Sequence, residues 1–241
     1  GAALNKWMGI LETNLPKILG ITRATTQLSK FMGLTLTDYV VLGDRGVFGG
    51  GDTGSGSNSN VMDYITISTT GNAIDFGDLV ARRVLTACAS ATRGVFGGGY
   101  ISAITNTIDY ITILTVGNST DFGDLTLARY GLTACSSSTR GVFGGGFVAA
   151  DNNTIDYLTI ATTGDATDFG DLIIAKSYLV ACSSSTRGVF GGGVAGSAKN
   201  IIDYITIAST GNATDFGDLT VARHGLAACS SFTRGVFRGG V

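Results

Sequence analysis

One phrase constrains this chain more than any other feature. Arg-Gly-Val-Phe-Gly-Gly-Gly stands at residues 45–51, 93–99, 140–146 and 187–193, and a fifth copy at 234–240 carries Arg238 in place of a glycine. The phrases begin 48, 47, 47 and 47 residues apart. A fixed period of this size confines a chain to tandem supersecondary units, none of which can bury its apolar surface alone, so each must pack on its neighbours.

Each unit reads as four short strands. The first is Leu-x-Ala-Cys-Ser-Ser, as at residues 132–137, and the second is the Arg-Gly-Val-Phe phrase. The third, Ile-Asp-Tyr-Ile-Thr-Ile at 108–113, is β-branched or aromatic on both faces, which predicts cover on both sides. The fourth is Thr-Asp-Phe-Gly-Asp-Leu, as at 120–125. Gly71-Asn72, Gly117-Asn118, Gly164-Asp165 and Gly211-Asn212 lie between the third and fourth strands and predict tight hairpin turns. Ahead of the first phrase, Tyr39, Val40, Val41 and Leu42 read as a strand. Four antiparallel strands in about 45 residues is the pattern of a β-propeller blade.

The units resemble the kelch repeat. The double glycine Gly98-Gly99, Tyr110, an aromatic about a dozen residues on at Phe122, and Arg129 ahead of the next unit carry that resemblance in the second copy. Phe76, Phe122, Phe169 and Phe216 stand where the family places tryptophan. The resemblance covers residues 37–241 and implies an all-β, kelch-like β-propeller of 47-residue four-stranded blades. Four copies are complete (45–92, 93–139, 140–186, 187–233) and a fifth is partial, so five blades are expected.

Residues 1–36 hold no copy of the repeat and form a separate segment. A short amphipathic helix is predicted over 5–12, with Trp7, Ile10 and Leu11 on one side, and Pro16 interrupts it. Residues 17–22 and 28–34 are the candidates to close the fifth blade; in the rival reading the segment is a stalk or anchor. Ile21, Thr22, Ala24, Thr25, Leu28, Gly33 and Thr35 are similar to a motif of tailed-bacteriophage fibre proteins, which differs at Gln27 and Met32. The opening Gly1 leads us to expect a processed chain or a fragment.

Composition narrows the function classes. Charged residues make up 14% of the chain, below the roughly 25% of an average soluble domain, and the net charge is −2. With no basic excess to neutralise phosphates, nucleic acid is not an expected partner. No apolar run reaches the ~18 residues needed to cross a bilayer, so membrane insertion is not expected.

Four motifs invite chemistry. Cys88, Cys135, Cys182 and Cys229 recur 47 apart without a Cys-x-x-Cys pair, which favours buried apolar side chains over a metal site. Asp-Phe-Gly at Asp75, Asp121, Asp168 and Asp215 looks like the kinase metal triplet, but the rest of that machinery is missing. These aspartates are expected to accept backbone hydrogen bonds at strand ends. They, or Asp63, Asp109, Asp156 and Asp203, are also candidates to pair with the repeated arginines. No Gly-Lys-Ser/Thr follows the glycines, so a phosphate loop is not expected. His224 aligns with Arg83, Tyr130 and Ser177 and is expected at the surface.

The loop after the glycines is where the copies differ: residues 52–59, 100–105, 147–152 and 194–199. A rigid scaffold carrying dissimilar loops on one rim builds a recognition surface, whereas unconstrained loops simply drift. On the first reading, Tyr100, Ile101, Phe147 and Val148 are exposed for apolar contact, and Asp52, Asp151, Asn152 and Lys199 supply polar contact.

The two resemblances imply a structural and binding component of a phage virion: a tail fibre or a head or neck appendage. Its partners would be other virion proteins and a host-surface glycan or protein, with self-association through residues 1–36. No cofactor, metal or enzymatic activity is expected. The alternatives are a cellular kelch-type protein-interaction module and a carbohydrate-active propeller enzyme. The latter needs acids, bases or metal ligands that break the repeat, and no such break stands out.

Overall fold

A computed structural model describes residues 44–54 and 56–241. The predicted helix, the fibre-like stretch, both ring-closing candidates and the strand at 39–42 lie outside these residues. Among the described residues there are strands and no helix, so none crosses a membrane as a helix. The strands are β1 (Arg45–Gly49), β2 (Val61–Thr66), β3 (Ile74–Asp78), β4 (Thr86–Ala89), β5 (Arg93–Gly97), β6 (Thr107–Thr112), β7 (Thr120–Asp124), β8 (Thr133–Ser136), β9 (Arg140–Gly144) and β10 (Thr154–Thr159). They continue as β11 (Thr167–Asp171), β12 (Val180–Ser183), β13 (Arg187–Gly191), β14 (Val194–Ala195), β15 (Ser197–Ala198), β16 (Ile201–Thr206), β17 (Thr214–Asp218), β18 (Leu226–Ser230) and β19 (Gly235–Gly239).

The repeat period maps onto sheets. β1–β2–β3 form a three-stranded first sheet; β4–β5–β6–β7, β8–β9–β10–β11 and β12–β13–β16–β17 form three antiparallel sheets of four strands; β18–β19 form a two-stranded fifth. β14–β15 are a small ribbon within the fourth copy's variable loop. The four-strand reading of the unit therefore holds in three copies.

Consecutive sheets lie face to face, and the core is the set of apolar layers between them. One layer joins Met62, Phe76 and Leu79 of the first unit to Phe96 and Ile111. The next joins Val95, Ile108 and Phe122 to Phe143, Leu158 and Ile160. The third joins Val142, Ile155 and Phe169 to Phe190, Ile205 and Ile207. The third strand of each full unit alternates between these layers: in β6, Ile108, Asp109 and Ile111 are all buried. This is the two-sided cover that its β-branched composition predicts.

The glycines make close stacking possible. A Cβ on Gly97 would lie 2.7 Å from the Phe143 ring, one on Gly144 2.8 Å from the Phe190 ring, and one on Gly191 2.8 Å from the Phe237 ring. At the start of β9, β13 and β19, Gly141, Gly188 and Gly235 leave room for the sulfurs of Cys88, Cys135 and Cys182, to which added Cβ atoms would approach within 2.8, 2.6 and 2.7 Å. Those three cysteines are buried. Cys229 is exposed, contrary to the expectation for all four, because no following strand covers it among the described residues.

The first strands β4, β8, β12 and β18 adjoin in succession. Ser136 Oγ donates to the Ala89 carbonyl, Ser183 Oγ to that of Ser136, and Ser230 Oγ to that of Ser183, each at 2.8 Å. The Gly-Asn pairs do not make tight hairpin turns. β6 ends at Thr112 and β7 begins at Thr120, so the connection is longer, and its Gly-Asn pair reaches the preceding sheet instead. Gly117 N–H donates to the Phe76 carbonyl at 2.7 Å, and Asn118 Oδ1 accepts from Asp78 N–H at 3.0 Å. The glycine of Asp-Phe-Gly serves the same contact: a Cβ on Gly77 would meet the Gly117 backbone at 2.6 Å. Asp75 and Asp215 accept from the N–H two residues on, at 3.2 Å, as expected of strand-end aspartates.

Two arginine systems tie the sheets together. Among the described residues the phrase arginines do not meet carboxylates. Arg45, Arg93, Arg140 and Arg187 lie 4.2, 4.2, 4.2 and 4.4 Å from the ring centres of Tyr64, Tyr110, Tyr157 and Tyr204. Three of them also donate to the next sheet: Arg45 to Ile113 O, Arg93 to Ile160 O and Arg140 to Ile207 O. Three of the four third-strand carboxylates go to the linkers instead, and Asp63 has no ion-pair partner among the described residues. Arg82–Asp109, Arg129–Asp156 and Lys176–Asp203 are ion pairs at 2.8 Å with side chains almost wholly out of water. Burial lowers the Arg82, Arg129 and Lys176 pKa values and raises those of Asp109 and Asp203, against the mutual attraction of each pair. Such pairs fix geometry more than they add stability.

Candidate rim recognition site

The variable loops do not stand alone. After the glycines of the second to fifth phrases, the chain turns back to pair with the linker that enters the same sheet. Arg83 bridges Tyr100, Tyr130 bridges Phe147 and Ser177 bridges Val194 as isolated antiparallel ladders. His224 pairs in the same way with Val241, N–H to carbonyl at 3.0 Å, and is half-buried rather than a free surface residue. Loop and linker are thus presented together in each of the second to fifth sheets.

These pairs bring rings together across sheets. Tyr130 is the centre: its ring lies 6.3 Å from Tyr100, 5.5 Å from Phe147 and 6.2 Å from Tyr178, the two tyrosine contacts edge to face. Edge-to-face rings at this spacing attract one another beyond simple area burial. At one side Arg83 lies 4.8 Å from the Tyr100 ring centre, donates to Gly56 O and Asn58 Oδ1, and sits 3.9 Å from Asp52 Oδ2. Asn58 in turn donates to Ile101 O at 2.6 Å. At the other side Ser177 Oγ donates to Asp151 Oδ1 at 2.6 Å.

Of the residues read from sequence, the structure gathers Asp52, Tyr100, Ile101, Phe147 and Asp151 around this cluster. Tyr100, Ile101, Phe147 and Val148 are half-buried rather than freely exposed, because rings and loops pack on one another. Asn152 is turned inward: its Oδ1 accepts from Thr154 N–H at 2.8 Å, and its backbone carbonyl accepts from Lys176 N–H. Val148 closes a turn with Ala150, its N–H donating to the Ala150 carbonyl at 3.1 Å. Lys199, on the fourth copy's loop, donates to its own neighbour Ser197 and does not join the cluster.

Sequence reasoning missed Arg83, Tyr130 and Tyr178 as site residues. The signal was present, since these linker positions vary as freely as the loops within a near-constant frame. Tyr178 carries a second signal. Its counterparts Gly131 and Gly225 sit at φ +64, and at the same position Val84 and Tyr178 take φ +54 and φ +50 without being glycine. A non-glycine residue in that region is strained by about 1–3 kcal/mol, and such strain collects at functional sites. The ring this strain places on the rim lies against Gly131, with its nearest atoms 3.5 Å from a Cβ built there. Burial and the Tyr130 phenol raise the pKa of Tyr178.

Chemically the rim offers four aromatic rings, a guanidinium, two carboxylates and amide and hydroxyl groups. Among the described residues no group of three or more metal-ligating side chains converges. No family model matches the chain, and no curated protein matches it.

Proposed function

We propose that the chain is a binding component of a virus particle and that the Tyr100–Tyr130–Phe147–Tyr178 rim is its attachment surface, taking a host-surface glycan. The observation that carries the reading is the ring cluster itself, in which Tyr130 lies 6.3, 5.5 and 6.2 Å from Tyr100, Phe147 and Tyr178. Aromatic rings flanked by planar polar groups suit the C–H faces and hydroxyls of a sugar, while the low net charge offers little to a polyanion. The fibre-like stretch at residues 21–35 supports placement in a tailed-phage fibre or a head or neck appendage.

The same reading takes the sheets as sectors of a kelch-like propeller around the adjoining first strands. A low-resolution map of the particle separates a ring from a rod. A five-sheet ring that closed by the repeat's own rule would set Phe48, which is 61% exposed, on residue 238, where arginine replaces the usual glycine. That junction is the one to inspect.

The test is a glycan array and host-cell binding assay with the wild-type chain, Tyr130→Ala and Tyr178→Gly. Wild type binds, Tyr130→Ala binds at least about tenfold more weakly, and Tyr178→Gly loses binding while its midpoint of unfolding holds or rises, because backbone strain is relieved. A monodisperse monomer that binds neither glycans, host cells nor virion proteins refutes the proposal.

A further inference from the structure

The junctions between successive sheets repeat so closely that a departure at one of them can be read group by group. The second–third and third–fourth junctions are built on matching apolar layers: Phe143, Leu158 and Ile160 in one stand where Phe190, Ile205 and Ile207 stand in the other. Their polar clamps differ. At the second–third junction both carboxylate oxygens of Asp156 are engaged. Arg129 Nη2 lies 2.8 Å from Oδ2, and Thr126 Oγ1 donates to Oδ1. The same guanidinium nitrogen donates to the Phe143 carbonyl at 3.4 Å, so one arginine holds both the carboxylate and the strand beside it.

At the third–fourth junction Lys176 replaces Arg129 and Ile173 replaces Thr126. Lys176 Nζ lies 2.8 Å from Asp203 Oδ2 and donates to the Ile201 carbonyl at 3.4 Å. An ammonium is a point charge and lacks the fork of a guanidinium. Among the described residues Lys176 makes no bond to the Phe190 carbonyl, the counterpart of Phe143 O. Isoleucine offers no donor, and Asp203 Oδ1, on a side chain wholly out of water, has no hydrogen-bond partner among the described residues. Both losses fall on one carboxylate. They penalise the closed junction and not an open one, in which water reaches Asp203.

We propose that the third–fourth junction is a joint, which opens in the native chain more readily than the second–third junction. The joint cuts through the ring cluster on the rim. Tyr100, Tyr130 and Phe147 belong to the second and third sheets, whereas Tyr178 lies on the linker entering the fourth, two residues beyond Lys176. Opening therefore carries Tyr178 away from Tyr130 and changes the spacing of the rings. The inference rests on the clamp residues and does not depend on what the rim binds.

Amide exchange measured by NMR on the 241-residue chain tests this, because matched hydrogen bonds cross the two junctions. Gly164 N–H donates to Phe122 O and Gly211 N–H to Phe169 O, both at 2.7 Å. Gly131 N–H donates to Val84 O at 3.2 Å and Tyr178 N–H to Gly131 O at 2.8 Å. Bond length alone would protect Gly211 as well as Gly164, and Tyr178 better than Gly131. With a joint, Gly211 and Tyr178 exchange at least about tenfold faster than Gly164 and Gly131 after correction for intrinsic rates. Ile173→Thr with Lys176→Arg copies the second–third clamp and should close that gap. Thr126→Ile with Arg129→Lys should bring Gly164 and Gly131 to the faster level. Equal protection at the two junctions in the wild-type chain overturns the proposal, and that comparison needs no variant to fold. A gap that survives Ile173→Thr with Lys176→Arg unchanged also overturns it, because the cause then lies outside the clamp.

Discussion

Gly144→Ala isolates the steric rule on which the stacked sheets depend. Gly144 lies in β9 outside the positive-φ region, so alanine is not strained by the backbone. The added Cβ would lie 2.8, 3.3 and 3.4 Å from three atoms of the Phe190 ring, against ordinary carbon contacts of about 3.5–4.0 Å. Phe190 is fully buried, so the ring must move into occupied space. Overpacking of this kind costs about 1–3 kcal/mol, and the lost flexibility of the unfolded chain returns about 0.4–1 kcal/mol. The expected net destabilisation is therefore about 1–2 kcal/mol by urea denaturation. Phe190→Leu shortens the ring and supplies the other side of a double-mutant cycle, in which we expect coupling of at least about 1 kcal/mol. Gly46→Ala is the control. Gly46 is the first glycine of the first phrase, where a Cβ would make only an ordinary 3.5 Å contact with Ile65, and the change should be neutral or stabilising. If Gly144→Ala is as benign as Gly46→Ala, or its effect simply adds to that of Phe190→Leu, the glycines are not there for the rings.

Lys176→Met strands the buried Asp203 carboxylate and should destabilise by about 3–5 kcal/mol, whereas Lys176→Met with Asp203→Leu should recover most of that in the same denaturation assay. Equal losses in single and double variants would contradict this. Alkaline titration reads the buried thiols. Burial moves the Cys88 thiol from 9.0 to about 12, so the folded chain keeps a proton that the unfolded chain gives up. Stability from this group is complete below pH 9 and falls as pH rises toward 12, by ~1.4 kcal/mol per pH unit. Cys88→Ala should flatten that fall, and an unchanged pH profile would refute the burial argument.

Much of the architecture was legible in order along the chain. The 47-residue period, the strand composition and the two-sided cover of the third strands all follow from local residue choice, because β-branched and aromatic runs punctuated by glycine have few other ways to bury themselves. Cys229 was misread because a repeated residue was assigned a repeated environment, and the Gly-Asn pairs because a local turn signal was read without the preceding sheet that each pair reaches. A residue's surroundings come from the next sheet as well as from its own, and the last copy has a different neighbour from the rest.

The sequence alone determined the unit, its strands and the identity of the loops that vary, since each depends on contacts within one period. Only the tertiary structure decided which side chains meet between periods. It paired Asp109, Asp156 and Asp203 with linker cations rather than with the phrase arginines. It drew Tyr130 and Tyr178 from the linkers into the ring cluster. The physical reason is that packing one sheet on the next joins residues from different periods, and no pattern within a period records that join.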